Sequence, residues 1–185
     1  VIDDTMLETM EKMEKAVEHT RSQFATVRTG RATPSLVDRI TIEYYGAQVP
    51  LQQLASISVP EARQLLIKPH DRSSLESIEK AIRESDLGVN PNNDGISIRI
   101  SLPQLTEDRR KEYVKVARAM AEDGRIALRN LRRDARKAME AEEKDGEVSE
   151  DDLERAEKEL DKVTSEHVDL VDEALNRKEQ ELLEV

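Results

Sequence analysis

One constellation of side chains in this chain suggests chemistry: Lys111, Arg118, Arg125, Arg129, Arg132 and Arg136. At 100° per residue all six fall within about 60° of one another, so a helix through them would carry one continuous basic rail. A guanidinium is a planar fork that holds two phosphate oxygens or lies on an exposed base, and Arg outnumbers Lys here, which suits structured RNA. Arg21, Arg28 and Arg31 add positive charge at the end of an earlier segment. A second chemistry is open to the same arginines, because a neighbouring helix rich in glutamate could hold them in flanking ion pairs. Between Arg125 and Lys137 six basic residues stand against one acid. That excess favours phosphate, while the spacing itself leaves both readings standing.

Other chemistry has little seat. His19, His70 and His167 lie far apart and lack the paired spacing of a metal site. Glycines at 30, 46, 88, 95, 124 and 146 form no phosphate loop, and there is no G-x-S-x-G nucleophile motif. The run from Asn90 to Gly95 resembles the start of a calcium loop, yet its twelfth position is Ser101 where a bidentate Glu is needed, so it reads as a turn. Carboxylates are abundant, but none lies in an apolar setting that would tune it for acid–base work. With no cysteine there is neither a thiolate nucleophile nor a disulfide. The expectation is a non-enzymatic protein with no catalytic residue, no cofactor and no metal.

The rail needs a helix to carry it, and composition favours long solvated helices: 37% of residues are charged and 2% aromatic, so the few apolar residues must be placed periodically. Three stretches do this at alternating spacings of three and four. The first runs Met6, Met10, Met13, Val17, Thr20, Phe24, Val27, with Asp3 and Asp4 before it and Gly30 as its stop. The second runs Tyr113, Ala117, Met120, Gly124, Leu128, Leu131, Ala135, Ala138, capped by Thr106. The third runs Leu153, Ala156, Leu160, Val163, His167, Leu170, Ala174, opened by a capping box at Ser149. Three matching seams predict an elongated three-helix bundle, its second helix reaching from Thr106 to about Glu140. The net charge of −11 argues against nucleic acid until its distribution is read. Residues 106–138 carry eleven Lys/Arg against six Asp/Glu, and residues 139–185 carry six against nineteen. An acidic third helix would turn its own face away from RNA. No stretch approaches the roughly 18 to 20 apolar residues of a membrane span, and a cytoplasmic protein is expected.

Between Gly30 and Leu105 the period changes. Arg39–Tyr45 and Ile96–Ile100 alternate, and Leu54–Val59 and Leu65–Lys68 are short apolar runs, all predicted strands. A short helix after Asp71 presents Leu75, Ile78 and Ile82 on one face, with Ser73 and Glu76 as a capping box and Gly88 as stop. All six prolines fall between Pro34 and Pro103. The prediction is an α+β chain: residues 1–30 and 105–185 form the bundle, and 31–104 an inserted α+β domain. The insertion would join through a hinge at Gly30–Arg31 and Gln104–Leu105.

Several collinear motifs carry a family resemblance: Val27-Arg28-Thr29-Gly30-Arg31-Ala32-Thr33-Pro34, Glu43-Tyr44-Tyr45-Gly46, Ser85-Asp86-Leu87-Gly88, Leu105-Thr106-Glu107-Asp108-Arg109-Arg110 and Arg129-Asn130-Leu131-Arg132-Arg133-Asp134. Together they resemble the bacterial-type ribosome recycling factor family over essentially the whole chain. The resemblance implies a three-helix bundle with an inserted β/α/β domain in an L-shaped arrangement. It also implies a monomer that works after termination with elongation factor G and GTP hydrolysis by that factor. Arg28, Gly30, Arg31, Arg129 and Arg132 would then contact ribosomal RNA of the large subunit, joined by Arg125 and Arg136 of the same rail. The inserted domain would meet elongation factor G and the small subunit. His70 departs from the family pattern, in which an aromatic residue is more frequent. Competing readings are a helical scaffold for acidic proteins, whose binding would survive removal of RNA, and a carboxylate hydrolase, which would turn over substrate alone.

Overall fold

A computed structural model of the chain describes residues 2–184. In chain order the elements are α1 (Ile2–Thr26), β1 (Thr41–Tyr44), β2 (Ala47–Pro50), α2 (Leu51–Leu54), β3 (Ala55–Glu61), β4 (Gln64–Pro69), α3 (Leu75–Arg83), β5 (Asn92–Asn93), β6 (Ile98–Ser101), α4 (Glu107–Lys144) and α5 (Glu150–Leu183). Short 3-10 turns occupy Pro34–Val37 and Arg72–Ser74. The fold is α+β, in two compact units: residues 2–28 with Glu107–Glu184, and Thr29–Thr106.

In the first unit α1, α4 and α5 pack around Met13, Val17, Phe24, Leu128, Leu160 and Val163. The central part of each seam is buried as the spacing predicts. Towards the ends it slides by one residue: Met139 is buried and Ala138 exposed, and Val171 and Leu175 lie deeper than Leu170 and Ala174. The cause is the mismatch between a repeat of about 3.5 and a helix of about 3.6 residues per turn, which rotates a heptad stripe by about 20° per repeat. At its closest α4 approaches α1 where it lacks a side chain: a Cβ on Gly124 would lie 2.5 Å from Thr20 Oγ1. The polar residues buried in the seam, Thr9, Thr20, Thr164 and His167, are satisfied along their own helices. Thr20 and Thr164 donate to the carbonyls of Ala16 and Leu160, and His167 Nδ1 donates to that of Val163 at 2.7 Å.

Helix ends depart from the sequence reading. α1 stops at Thr26, where the Thr26 hydroxyl bonds the Gln23 carbonyl, so Gly30 is not its terminator and does not adopt a left-handed φ. α4 runs to Lys144, 38 residues or about 57 Å, before the left-handed Gly146 turns the chain. Ser149 caps α5 by accepting the Asp152 N–H at 3.1 Å.

The second unit holds an antiparallel β1–β2 hairpin and a four-stranded antiparallel sheet in the order β3-β4-β6-β5. Register places Leu65 against Ile100 and Ile67 against Ile98, four fully buried residues on one face. Ile78 and Ile82 of α3 complete the core with Val37, Ile42 and Leu51. Ser73 does not cap α3 as the Ser73–Glu76 spacing suggests. No side chain caps α3 directly; Asp71 instead caps the 3-10 turn that leads into it, accepting the Ser73 N–H at 3.0 Å. The short elements β2, α2 and β5 lie where no periodicity marked them. The Asn90–Gly95 segment is not a turn throughout: Asn92 and Asn93 pair with β6 as β5, and the turn follows at Asp94–Ser97, where the Asp94 carboxylate accepts the Ile96 and Ser97 N–H groups and the Ser97 hydroxyl. The N–H groups of Ser97 and Ile96, in that order, hold the Asp94 carboxyl below its ordinary range.

Candidate nucleic-acid interface

Helical periodicity brings the predicted rail together on α4, and the structure divides it into two edges. One edge faces α5, which runs antiparallel and supplies a ladder of carboxylates. Arg118 Nε meets Glu179 at 2.7 Å, Arg125 meets Asp172 at 2.6 Å, Arg132 meets Asp161 at 3.4 Å and Arg136 meets Glu157 at 3.6 Å. The flanking ion pairs that the sequence left open therefore exist.

These pairs differ in strength. Arg125 binds Asp172 through both Nε and Nη2 and touches Glu122 as well, with its side chain only 22% exposed. The hydrogen bond to Asp172 leads the causes that raise its pKa above the ordinary value. Arg132 makes one long contact and its side chain is 43% exposed. An exposed pair of that kind contributes about 0–1 kcal/mol and exchanges readily for a phosphate. Arg125 is thus the least available member of the predicted set, and Arg132 and Arg136 are held loosely in an outward position.

The second edge turns away from α5. Arg129 reaches only Glu122 of its own helix, at 3.6 Å. Arg133, about 40° further round at 100° per residue, is exposed and has no carboxylate within ion-pair distance among the described residues. Lys137, one turn further along, is also exposed. Arg133 was missed as a site residue because it falls just outside the 60° rail. The signal available was that it widens the basic arc on the side away from the apolar seam.

Arg28 is exposed at the end of the first unit, and Gly30 and Arg31 begin the second, with the Arg31 N–H donating to the Thr29 hydroxyl at 3.3 Å. Gln104 and Leu105 lie two or three residues before α4. A Cβ on Gly30 would meet nothing within 4 Å, so neither close packing nor backbone conformation demands glycine there. Among the described residues no group of three His, Asp or Glu is arranged to hold a metal ion, and no helix is long and apolar enough to cross a membrane. His70 is exposed, and its backbone N–H bonds the Leu54 carbonyl at 2.9 Å.

The family model for ribosome recycling factor matches residues 20–183. The chain belongs to the ribosome recycling factor family. It is 58% identical to the ribosome-recycling factor of Kineococcus radiotolerans and 57% identical to that of Thermobifida fusca, each over the full 185 residues of both chains. Among solved structures it is similar to a solution structure of the ribosome recycling factor, with a TM-score of 0.76, 41% identity and coverage of 100% of this chain and 98% of the other. It is similar as well to the T. thermophilus ribosome recycling factor described together with E. coli elongation factor G bound to the E. coli post-termination complex, with a TM-score of 0.66, 43% identity and full coverage of both chains. The ribosome recycling factor family comprises translation factors that perform no bond chemistry of their own.

Proposed function

We propose that this chain frees ribosomes after termination, docking as a monomer on large-subunit ribosomal RNA through the basic arc of α4 and acting with elongation factor G, whose GTP hydrolysis drives separation of the subunits. The related factor described with elongation factor G on a post-termination complex supports the partners. The observation that carries the docking surface is the outward basic stretch from Arg129 to Lys137, five cations against one acid, on a helix whose other side is core. Arg129, Arg132 and Arg136 contact phosphates directly, and Arg28 and Arg31 extend the footprint. The boundaries near Gly30–Arg31 and Gln104–Leu105 serve as the hinge between the bundle domain, residues 1–30 and 105–185, and the inserted domain, 31–104. The place of action is the cytoplasm.

The test is binding of the intact protein and its Arg132→Ala variant to purified large subunits across a salt series. Loss of one phosphate contact lowers affinity and reduces the salt slope by about 1. The loose pair with Asp161 contributes too little for its loss to unfold the bundle. Unchanged affinity and slope in the folded variant would return Arg132 to purely intramolecular pairing and remove the proposed contact.

A further inference from the structure

Helix α5 sets a charge in its own apolar seam. After the buried His167, Val171 and Leu175, the next seam position is Lys178, three residues on, and the buried Leu182 follows four residues later. The chain has eleven lysines and ten of them are exposed, whereas the side chain of Lys178 is 11% exposed. A lysine beside a seam ordinarily packs its stem and returns its ammonium to water. This ammonium meets only the Glu181 carboxylate, at 3.8 Å, beyond hydrogen-bond reach. Loss of its water, opposed by the Glu181 charge, holds the Lys178 pKa below its ordinary value.

Its height in the bundle makes the amine reachable as well as dry. Helices α1 and α4 run antiparallel, with Thr5 bonded to Glu142 and Thr20 against Gly124. Arg118, six residues before Gly124, is therefore level with about Thr26, six residues after Thr20 and the last residue of α1. Glu179 pairs with Arg118 at 2.7 Å, so its neighbour Lys178 stands where the third wall of the seam ends. Glu181, its one contact, is 41% exposed. The site thus has a dry floor and a wet rim.

An exposed lysine is accessible but chemically idle, since near neutral pH only about one part in a thousand is the nucleophilic free amine. Desolvation is the ordinary way to activate a lysine. We propose that Lys178 is a modification site, the lysine of this chain that reacts preferentially with small activated acyl donors of the acyl phosphate class. The neutral amine attacks the carbonyl carbon, and an N–C bond forms as the C–O bond to phosphate breaks. Phosphate leaves with that electron pair and takes the amine proton as hydrogen phosphate. The product is a neutral amide, so acylation lifts a charge out of the seam and stabilises the bundle. The reaction is independent of what α4 docks onto.

Two measurements on the full chain test the site. The folded protein is treated with substoichiometric acetyl phosphate at neutral pH, and acetylation of each lysine is quantified by peptide mass spectrometry. Lys178 should react about tenfold faster than the median of the other ten lysines, and in urea, where all are equally solvated, the preference should vanish. A Lys178 that reacts no faster than the exposed lysines, or a preference that persists in urea, overturns the proposal. Separately, protein acetylated at Lys178 alone should unfold at a higher urea concentration than the parent. An equal or lower midpoint would mean that the seam does not oppose the ammonium, and the proposal would lose the source of the reactivity.

Discussion

Gly124 shows how a single position sets the approach of two helices. Its missing Cβ lets α1 close on α4 until Thr20 Oγ1 lies 2.5 Å from where that Cβ would be, and the same oxygen is committed to the Ala16 carbonyl at 3.1 Å. Gly124→Ala must push a buried, hydrogen-bonded side chain aside, which outweighs the better helix propensity of alanine. The expected loss is about 1–3 kcal/mol in chemical denaturation. Because the nearest atoms all belong to Thr20, pairing the change with Thr20→Ala should recover most of the loss. Failure to recover would mean that the backbones collide. The sequence places Gly124 in the seam as a point of close approach, and that much is legible from periodicity. Which side chain fills the notch is not, because spacing along one helix carries no information about the height of its neighbour. Tyr45 is the converse case: alternation places it at the end of a strand over Arg39–Tyr45, whereas the strand stops at Tyr44 and Tyr45 turns the chain with a left-handed φ of +49°, which only the backbone shows.

Between elements, the α4–α5 ladder places a carboxylate in the position a phosphate would take. Asp161 sits 3.4 Å from Arg132 and is itself 62% exposed, so under the proposed docking its carboxylate would compete with an RNA phosphate for the same guanidinium. Asp161→Asn removes both the competitor and a repelling charge. Binding to large subunits should tighten about two- to fivefold, the equivalent of an exposed pair of about 0.4–1 kcal/mol. Unaltered or weaker binding would show that the carboxylate positions the arginine and does not oppose RNA. The helices themselves were readable from their seams to within a few residues, as were the longer strands around Leu65–Ile67 and Ile98–Ile100, because burial of one face imposes a period. The exceptions have physical causes. β5 is two residues long, α2 is a single turn, and β2 fully buries none of its residues, so no buried face imposes a period on them. The slide from Ala138 to Met139 comes from counting heptads along an undistorted helix. The division of the rail into paired and unpaired edges depends on which side of α4 the acidic helix lies, and both sides satisfy the same pattern.

At the scale of the molecule, two units of unlike charge should respond differently to acid. The insertion carries eight basic and nine acidic residues, so ten of the eleven net negative charges belong to the rest of the chain. Protonating carboxylates therefore relieves repulsion in the bundle, whose exposed ion pairs contribute little individually. The insertion relies on particular carboxylates. Asp71 is held below its ordinary pKa first by the Ser73 N–H and then by the Tyr44 hydroxyl, and Asp94 by the N–H groups of Ser97 and Ile96. A carboxylate whose pKa is depressed on folding stabilises the native state above its unfolded value of about 3.9, and that contribution fades as pH falls through the lower folded value. Tyr44 has the opposite sign: its hydrogen bond to Asp71 pushes its pKa up to about 12, so its contribution is intact below about pH 10 and fades as pH rises through about 12. Acid titration followed by amide NMR should thus show residues 29–106 losing native signals at a higher pH than α1, α4 and α5. Asp71→Asn, which cannot ionise, should flatten the acid dependence of the insertion without altering that of the bundle. If the bundle melts first, the α4–α5 ladder contributes more than exposed pairs normally do, and the loosely held arginines would be firmly held ones.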